Sequence, residues 1–377
     1  MKKILLILGL LSVIACQEET TDKTPQAPNV YQGVFLDGNN VVEVYVQEYQ
    51  DNKIQNLKVK LIRAAGKIVS AQLITGDAQT LADYNAQYGT DYKLLPTDKY
   101  SIDENAIFNT YETETPIDIT ISELTFPNNE VYALPIQIRG RNNIEAIAGQ
   151  DRLLLVVHKE TRTKVLSIAT TKATTGEVLS NNELSQWTFE ATINCSNLIG
   201  SNPIVGVTSN THQVEIGFTN NQLDVKASGI SILIPAEVFK AQTNKWYPIT
   251  VTCDGNTLRV YVEGKEVGSK TANTNSRIYV KDLWFAGANE LLREVRLWKR
   301  ALTQKEIQLQ LWSTLKPTND LLFYYPLNGK KYNKTSNTIT DDETKLWDWS
   351  PTGTSMELPS GATFNNGTGY GIVFPPR

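Results

Sequence analysis

Lys245-Trp246-Tyr247-Pro248-Ile249-Thr250-Val251-Thr252-Cys253-Asp254-Gly255 reads as one strand running into a turn. Ile249, Val251 and Cys253 alternate with Thr250 and Thr252, and a period of two sends the first set to one face of a sheet. Asp254-Gly255-Asn256 supplies the turn. Leu258, Val260 and Val262 then carry the chain back, and Glu263-Gly264-Lys265 turns it again. Upstream, Trp187, Phe189, Ala191 and Ile193 share one face, and Val214, Ile216 and Phe218 share another. The pattern is a β-meander, and it predicts an all-β fold for this half of the chain.

Three later stretches extend the pattern. Leu292-Arg293-Glu294-Val295-Arg296-Leu297-Trp298-Lys299-Arg300-Ala301-Leu302-Thr303 is a strand running to a helix entry. Thr303 with Glu306 forms a capping box for a helix to about Trp312. Leu322-Phe323-Tyr324-Tyr325-Pro326-Leu327 reads as a closing strand, followed by the loop Asp348-Trp349-Ser350. Taken in order, these motifs resemble the laminin-G-like, concanavalin A-type jelly roll, with Cys253 where an aromatic is usual. The resemblance implies a jelly roll over 161–377, with Trp246 and Trp298 as framework residues.

The first half is also strand-rich. Val42, Val44 and Val46 alternate with polar neighbours, as do Leu57, Val59 and Leu61, then Ile117, Ile119 and Ile121. Short strands with turns between them predict a sandwich over 30–160. One segment departs from period two. Leu81, Tyr84 and Tyr88 stand at i, i+3 and i+7, Asp77 or Thr80 can cap the start, and Gly89 suits a left-handed stop, so a short helix is expected. Leu81-Ala82-Asp83-Tyr84-Asn85, Tyr88-Gly89-Thr90-Asp91-Tyr92 and Leu94-Leu95-Pro96 resemble an N-terminal domain of unknown function in Bacteroidetes surface lipoproteins. That family implies an immunoglobulin-like sandwich, often placed before a glycan-binding or glycosidase domain in polysaccharide-utilisation systems. The aromatics of the matched stretch read as packing residues.

The chain opens with Lys2 and Lys3, a twelve-residue apolar run from Ile4 to Ala15, and Cys16. The run is too short to span a membrane and reads as a signal peptide over 1–15. Its end, Leu11-Ser12-Val13-Ile14-Ala15-Cys16, resembles a bacterial lipobox. That likeness implies an acylated Cys16 held in outer-membrane lipid, the alternative being a plain cleaved signal in which Cys16 is incidental. Gln17-Glu18-Glu19-Thr20-Thr21-Asp22 resembles the acidic export signal of Bacteroidetes surface lipoproteins, and 16–29 also reads as a flexible tether. The expected location is the outer membrane, lipid-anchored and facing the surroundings.

Charge and composition narrow the partners. A formal charge of −4 gives no electrostatic footprint for nucleic acid. Two histidines and three cysteines argue against a His-rich metal site, a zinc finger or an iron–sulfur protein. Cys195 and Cys253 can be two buried thiols or, in an exported protein, a pair. A retaining glycanase of this fold sets its two carboxylates on one strand face with an E-x-D-x-E string, which does not occur here, and Glu190 and Glu215 read as solvent-facing strand charges. His158 and His212 lie near no nucleophile elbow and read as surface or cap residues. Asp341-Asp342-Glu343 is a candidate Ca²⁺ ligand set, with a solvated loop as the plainer reading; no other cofactor is expected.

Sugars present apolar faces to aromatic rings and hydroxyls to amides and acids. The best cluster for that chemistry is Trp347, Asp348 and Trp349, with Tyr332 upstream. If the segment is extended, both indoles point to one side; the other reading is that they plug the end of the sandwich. The sequence therefore predicts a non-catalytic surface lipoprotein that binds a polysaccharide or glycoprotein glycan for capture and uptake, in company with an outer-membrane glycan transporter complex. Its rivals are a structural or protein-binding lipoprotein and a glycosidase with an unfamiliar carboxylate pair.

Overall fold

A computed structural model describes residues 32–38, 40–127, 130–141, 144–168, 173–176, 182–208, 213–271, 277–287 and 290–376. The signal, Cys16, the tether and His212 lie outside the described residues. Among the described residues, no helix is long and apolar enough to cross a membrane.

Two hydrophobic cores organise the chain. The last buried residue of the first is Val157, and the first of the second is Leu166. The N-terminal core lies within a β-sandwich. One of its sheets runs in the order Val41–Val46, Arg152–Lys159, Tyr132–Gly140, Val69–Thr75, Asn105–Phe108. Val41–Val46 runs parallel to Arg152–Lys159, whereas Arg152–Lys159 and Val69–Thr75 both run antiparallel to Tyr132–Gly140. Opposite stand smaller sheets, including Glu145–Ala146, Gly33–Leu36, Lys58–Leu61 and Glu114–Pro116 in that order. Period two is visible in the burial: Val69, Ala71 and Leu73 are buried while Ser70 and Gln72 are half-buried.

The expected helix is present as α1, Ala78–Tyr88. Asp77 caps it by accepting the Thr80 N–H at 2.9 Å. Gly89 ends it at φ 64°, a conformation that costs glycine nothing sterically. Only Leu81 is buried. It packs with Ala133, Leu154 and Val156 on the outer face of the larger sheet.

The C-terminal sandwich is a two-layer structure. Its larger sheet runs Lys265–Thr271, Thr257–Val262, Trp246–Cys253, Trp187–Asn194, Glu290–Trp298, Val165–Ile168, Thr363–Asn365, with Leu321–Tyr325 also paired to Glu290–Trp298. The facing sheet runs Ala173–Thr174, Asp282–Phe285, Ser201–Thr208, Val214–Thr219, Gln222–Ala227, Ile230–Leu233. Trp187, Phe189, Ile249, Val251 and Leu297 meet Ile216, Phe218 and Val225 between the layers. The second helix, α2 (Gln304–Gln310), carries the capping box of Thr303 and Glu306. It is shorter than expected, and Trp312 beyond it stacks on Phe374, with ring centroids 5.9 Å apart. The final strand, Ile372–Phe374, returns to pair with Thr161–Thr163, where the chain passes from one core to the other.

The register decides the cysteine question. Cys253 stands opposite Trp187, whereas Cys195 follows Asn194, which stands opposite Trp246. The two thiols therefore sit at opposite ends of one strand pair, roughly 25 Å apart at ~3.3 Å per residue. A disulfide needs Cα atoms within about 7 Å. Burial pushes the Cys195 thiol well above its ordinary pKa, so it is inert.

Candidate functional site

The predicted sugar-facing cluster lies at one end of the C-terminal sandwich, and the structure divides it. Tyr332 sits on the hairpin of Lys330–Asn333 and Thr338–Asp341. Its ring is 5.8 Å from that of Trp349, which in turn meets Tyr324 edge-on at 5.8 Å and 76°. The three rings step inward from the half-buried Tyr332 to the buried Tyr324 and fasten the hairpin to the core. Trp349 donates its indole N–H to the Lys330 carbonyl at 3.0 Å, and only 2% of the residue is exposed. Asp348 is also buried. Its carboxyl accepts the N–H groups of Tyr324, Ser350 and Thr354 at 3.0, 2.8 and 2.9 Å. Burial raises its pKa to about 6 despite those donors.

Trp349 and Asp348 thus face inward, not onto a common surface with Trp347. The reason is local: the strand Lys345–Leu346 ends before Trp347, so period two does not govern the three residues that follow. Trp347 alone of the two indoles reaches the surface. It is half-buried, donates its N–H to the Asp342 carbonyl at 3.0 Å, and carries the Lys331 ammonium 4.2 Å from its ring centroid. Exposed Asn333, Lys334, Thr335 and Asn337 continue along the hairpin, and Tyr332 donates its hydroxyl to Asn337 at 2.7 Å. This rim offers one indole face, the edge of a phenol and a run of amides and hydroxyls.

The acidic triplet beside it is engaged within the protein. Asp341 pairs with Lys330 at 2.9 Å and Glu343 with Lys164. Asp342 accepts from the N–H and hydroxyl of Thr344 at 3.0 and 2.5 Å. Among the described residues, no group of three or more His, Cys, Asp or Glu side chains is arranged to hold a metal ion.

Two sequence expectations need correction. Glu190 does not face solvent. The outer face of the larger C-terminal sheet is roofed by α2 and the chain after it, and Glu190 lies beneath. It accepts from Trp298 Nε1 at 2.7 Å, Arg296 at 3.4 Å and Gln310 at 3.3 Å. A second carboxylate, Glu294, joins it, held at a bulge where φ is 53°. Glu294 accepts from Arg296 at 2.7 Å, Tyr324 at 2.8 Å, Thr314 at 2.5 Å and Arg293 at 3.2 Å. All four charged side chains are buried. Burial works against the charge on Arg296, but Glu294 and Glu190 outweigh it and hold that guanidinium above its ordinary pKa. Burial lowers the pKa of Arg293, whose guanidinium rests on the Phe374 ring at 4.0 Å. His158 is not a surface residue either. It stacks on Tyr45 at 4.8 Å, and burial drops its pKa to about 4, so it is neutral at physiological pH.

The helix tyrosines also depart from expectation. Tyr84 and Tyr92 pack on the Leu81 cluster as anticipated, but Tyr88 is 59% exposed beside Tyr84. The available signal was the helix itself, in which Tyr88 has no apolar partner one turn ahead apart from Tyr84.

A family model described as an N-terminal domain matches residues 26–145. The model of the concanavalin A-like lectin/glucanases superfamily matches residues 169–308. The C-terminal sandwich is a concanavalin A-like domain. Within that domain the motif Lys245–Gly255 forms a central strand of the larger sheet and the turn that follows it. No curated protein matches the chain. Several solved structures are similar. A Bacteroides ovatus protein provisionally designated carbohydrate-binding is 16% identical over 88% of this chain and 97% of its own, with a TM-score of 0.49. A heptameric pentraxin of Limulus polyphemus is 13% identical over 39% of this chain and 81% of its own, with a TM-score of 0.32. EndoBT-3987 of Bacteroides thetaiotamicron, solved with a Man5GlcNAc product, is 22% identical over 32% of this chain and 28% of its own, with a TM-score of 0.25.

Proposed function

We propose that this protein is a non-catalytic, lipid-anchored surface protein that binds glycan through the rim of its concanavalin A-like domain. Anchoring through an acylated Cys16 raises the local concentration of captured glycan near the membrane, where a transporter complex can take it up. The observation that carries the reading is the half-exposed Trp347 ring set among the amides and hydroxyls of the Lys330–Asp341 hairpin. Lys331 covers that ring from an exposed position. Such a cation–π contact is worth ~0.5–1 kcal/mol at the surface, so an incoming pyranose can displace it at little cost. Trp349 and Tyr332 hold the hairpin in place, and Asp348 ties the loop that carries Trp349 to the Tyr324 strand. The superfamily of the domain includes lectins, and a solved protein of similar arrangement is designated carbohydrate-binding.

The carboxylates of the larger sheet favour binding over hydrolysis. Glycoside hydrolysis needs two carboxyls open to the sugar on either side of the scissile bond. Glu190 and Glu294 are instead spent on Arg293, Arg296, Trp298 and Tyr324 beneath α2. The test is affinity electrophoresis through gels carrying yeast mannan, xylan, laminarin or pullulan. Wild-type protein should be retarded by at least one of them, and Trp347→Ala should migrate as in a blank gel. Equal retardation of both forms would remove the rim as the site.

A further inference from the structure

The N-terminal sandwich contains a recess that the rim does not explain. Helix α1 covers only part of the outer face of the larger sheet there. Beside it a cleft of about 590 Å³ is left open, within the ~300–1,000 Å³ usual for small-molecule sites. Its floor is apolar, made by Leu154, Pro135 and Ile74. One wall is α1, which presents Tyr84 and Tyr88 with ring centroids 4.5 Å apart and planes tilted by 36°. The turn that brings α1 so close to the floor depends on Gly76. Its N–H donates to the Pro135 carbonyl at 2.8 Å, and an added Cβ would come within 2.8 Å of the Pro135 side chain.

The polar lining is mixed. Asp83 and Gln87, one turn apart on α1, add an acceptor and an amide, while Arg152 and Asn40 come from the sheet side. The remaining acid, Asp77, is committed to capping the helix. With Asp77 and Asp83 against Arg152 the lining carries one net negative charge, which repels a polyanion and leaves a neutral ligand whose every hydroxyl both donates and accepts as the better fit. Exposed tyrosines occur elsewhere, at Tyr49, Tyr111 and Tyr370. Tyr88 differs in edging a concavity with a second ring at its side, an arrangement that takes the flat apolar face of a sugar.

We propose that this cleft is a second, separate glycan site, taking a short neutral run of pyranosides across Tyr84 and Tyr88, with Asp83, Gln87, Asn40 and Arg152 bonding the hydroxyls. It goes beyond the rim reading, because it gives the N-terminal sandwich its own ligand and makes the chain bivalent. A bivalent chain holds a polysaccharide more tightly than either site alone, provided both reach one strand.

The experiment is calorimetric titration of the mature chain with mannopentaose, xylopentaose and laminaripentaose, using a hyaluronan hexasaccharide as the charged control. It compares wild type, Trp347→Ala, Tyr88→Ala, Tyr88→Phe and Trp347→Ala/Tyr88→Ala. Tyr88 is exposed, so its variants should melt within about 2 °C of wild type, and the melting curve checks this. The expected result is that Trp347→Ala retains binding to at least one neutral pentaose, that adding Tyr88→Ala weakens it at least tenfold, and that Tyr88→Phe keeps it within threefold. The proposal is overturned if Tyr88→Ala leaves every affinity within twofold of wild type, if only the hyaluronan fragment binds, or if nothing binds. Loss of all binding on Trp347→Ala alone would overturn it while leaving the rim intact. Binding lost with Tyr88→Ala but not with Trp347→Ala would sink the rim and leave the cleft.

Discussion

Replacing Glu294 with Gln tests the claim that the carboxylates under α2 are structural. Four charged side chains share that space, two acidic and two basic, with side-chain exposures from 0% to 8%. The change keeps the volume but removes one negative charge, taking from Arg293 the carboxylate it is paired with and leaving Arg296 with Glu190. It also aims amide hydrogens at guanidinium groups that previously donated to a carboxylate at 2.7 and 3.2 Å. Breaking a buried pair by removing one partner costs about 3–5 kcal/mol. Against a typical stability of about 5–15 kcal/mol that is a large fraction, and it corresponds to a fall in Tm of about 6–20 °C for a domain of this size. All seven tryptophans lie at or beyond residue 187, so indole fluorescence during a thermal ramp reports the concanavalin A-like domain by itself. A fall of less than 2 °C would mean that the network is solvated and that its carboxylates are available for other work.

Other expectations follow from the same geometry. Trp349→Ala empties a buried ring slot and should destabilise the C-terminal domain by about 3–5 kcal/mol, seen as a lower urea midpoint. Trp347→Ala should change the stability of that domain by no more than about 0.5 kcal/mol, leaving the urea midpoint nearly unmoved. His158 is neutral when folded and takes up a proton only below about pH 4, whereas the unfolded residue does so near 6.5. The unfolded state thus binds the extra proton between those values, and stability drops as pH falls from about 6.5 to about 4, by roughly 3 kcal/mol in full. Hydrogen exchange along Arg152–Lys159 should record that loss in wild type and a flatter profile in His158→Phe. Cys16→Ser should move the protein expressed in its natural host from the detergent phase to the aqueous phase of a Triton X-114 partition. Retention in the detergent phase would contradict acylation at that residue.

Strand patterning was legible because one face of each sheet is buried: the alternation at Ile249, Val251 and Cys253 emerges as a central strand of a sheet. The caps of both helices were readable from Asp77, Gly89, Thr303 and Glu306, which act through short-range hydrogen bonds and backbone conformation. What lies over the outer face of a sheet depends on chain far away in sequence. Glu190 looks solvent-facing until Gln310 and Trp298 are placed upon it. Trp349 was misplaced because the two-residue repeat stops with the strand at Leu346. The opposed ends of the strand pair that separate Cys195 from Cys253 needed the register. The cleft beside α1 needed the helix to be docked, since Tyr84 and Tyr88 alone have the spacing of ordinary packing residues.

The most direct measurement titrates the mature protein with each neutral polysaccharide in a calorimeter, then assays the cell contents for new reducing ends. The account predicts a saturable heat for at least one glycan and no reducing ends above blank after overnight incubation. Saturable binding with steady release of reducing sugar, or no heat with any glycan, would contradict it.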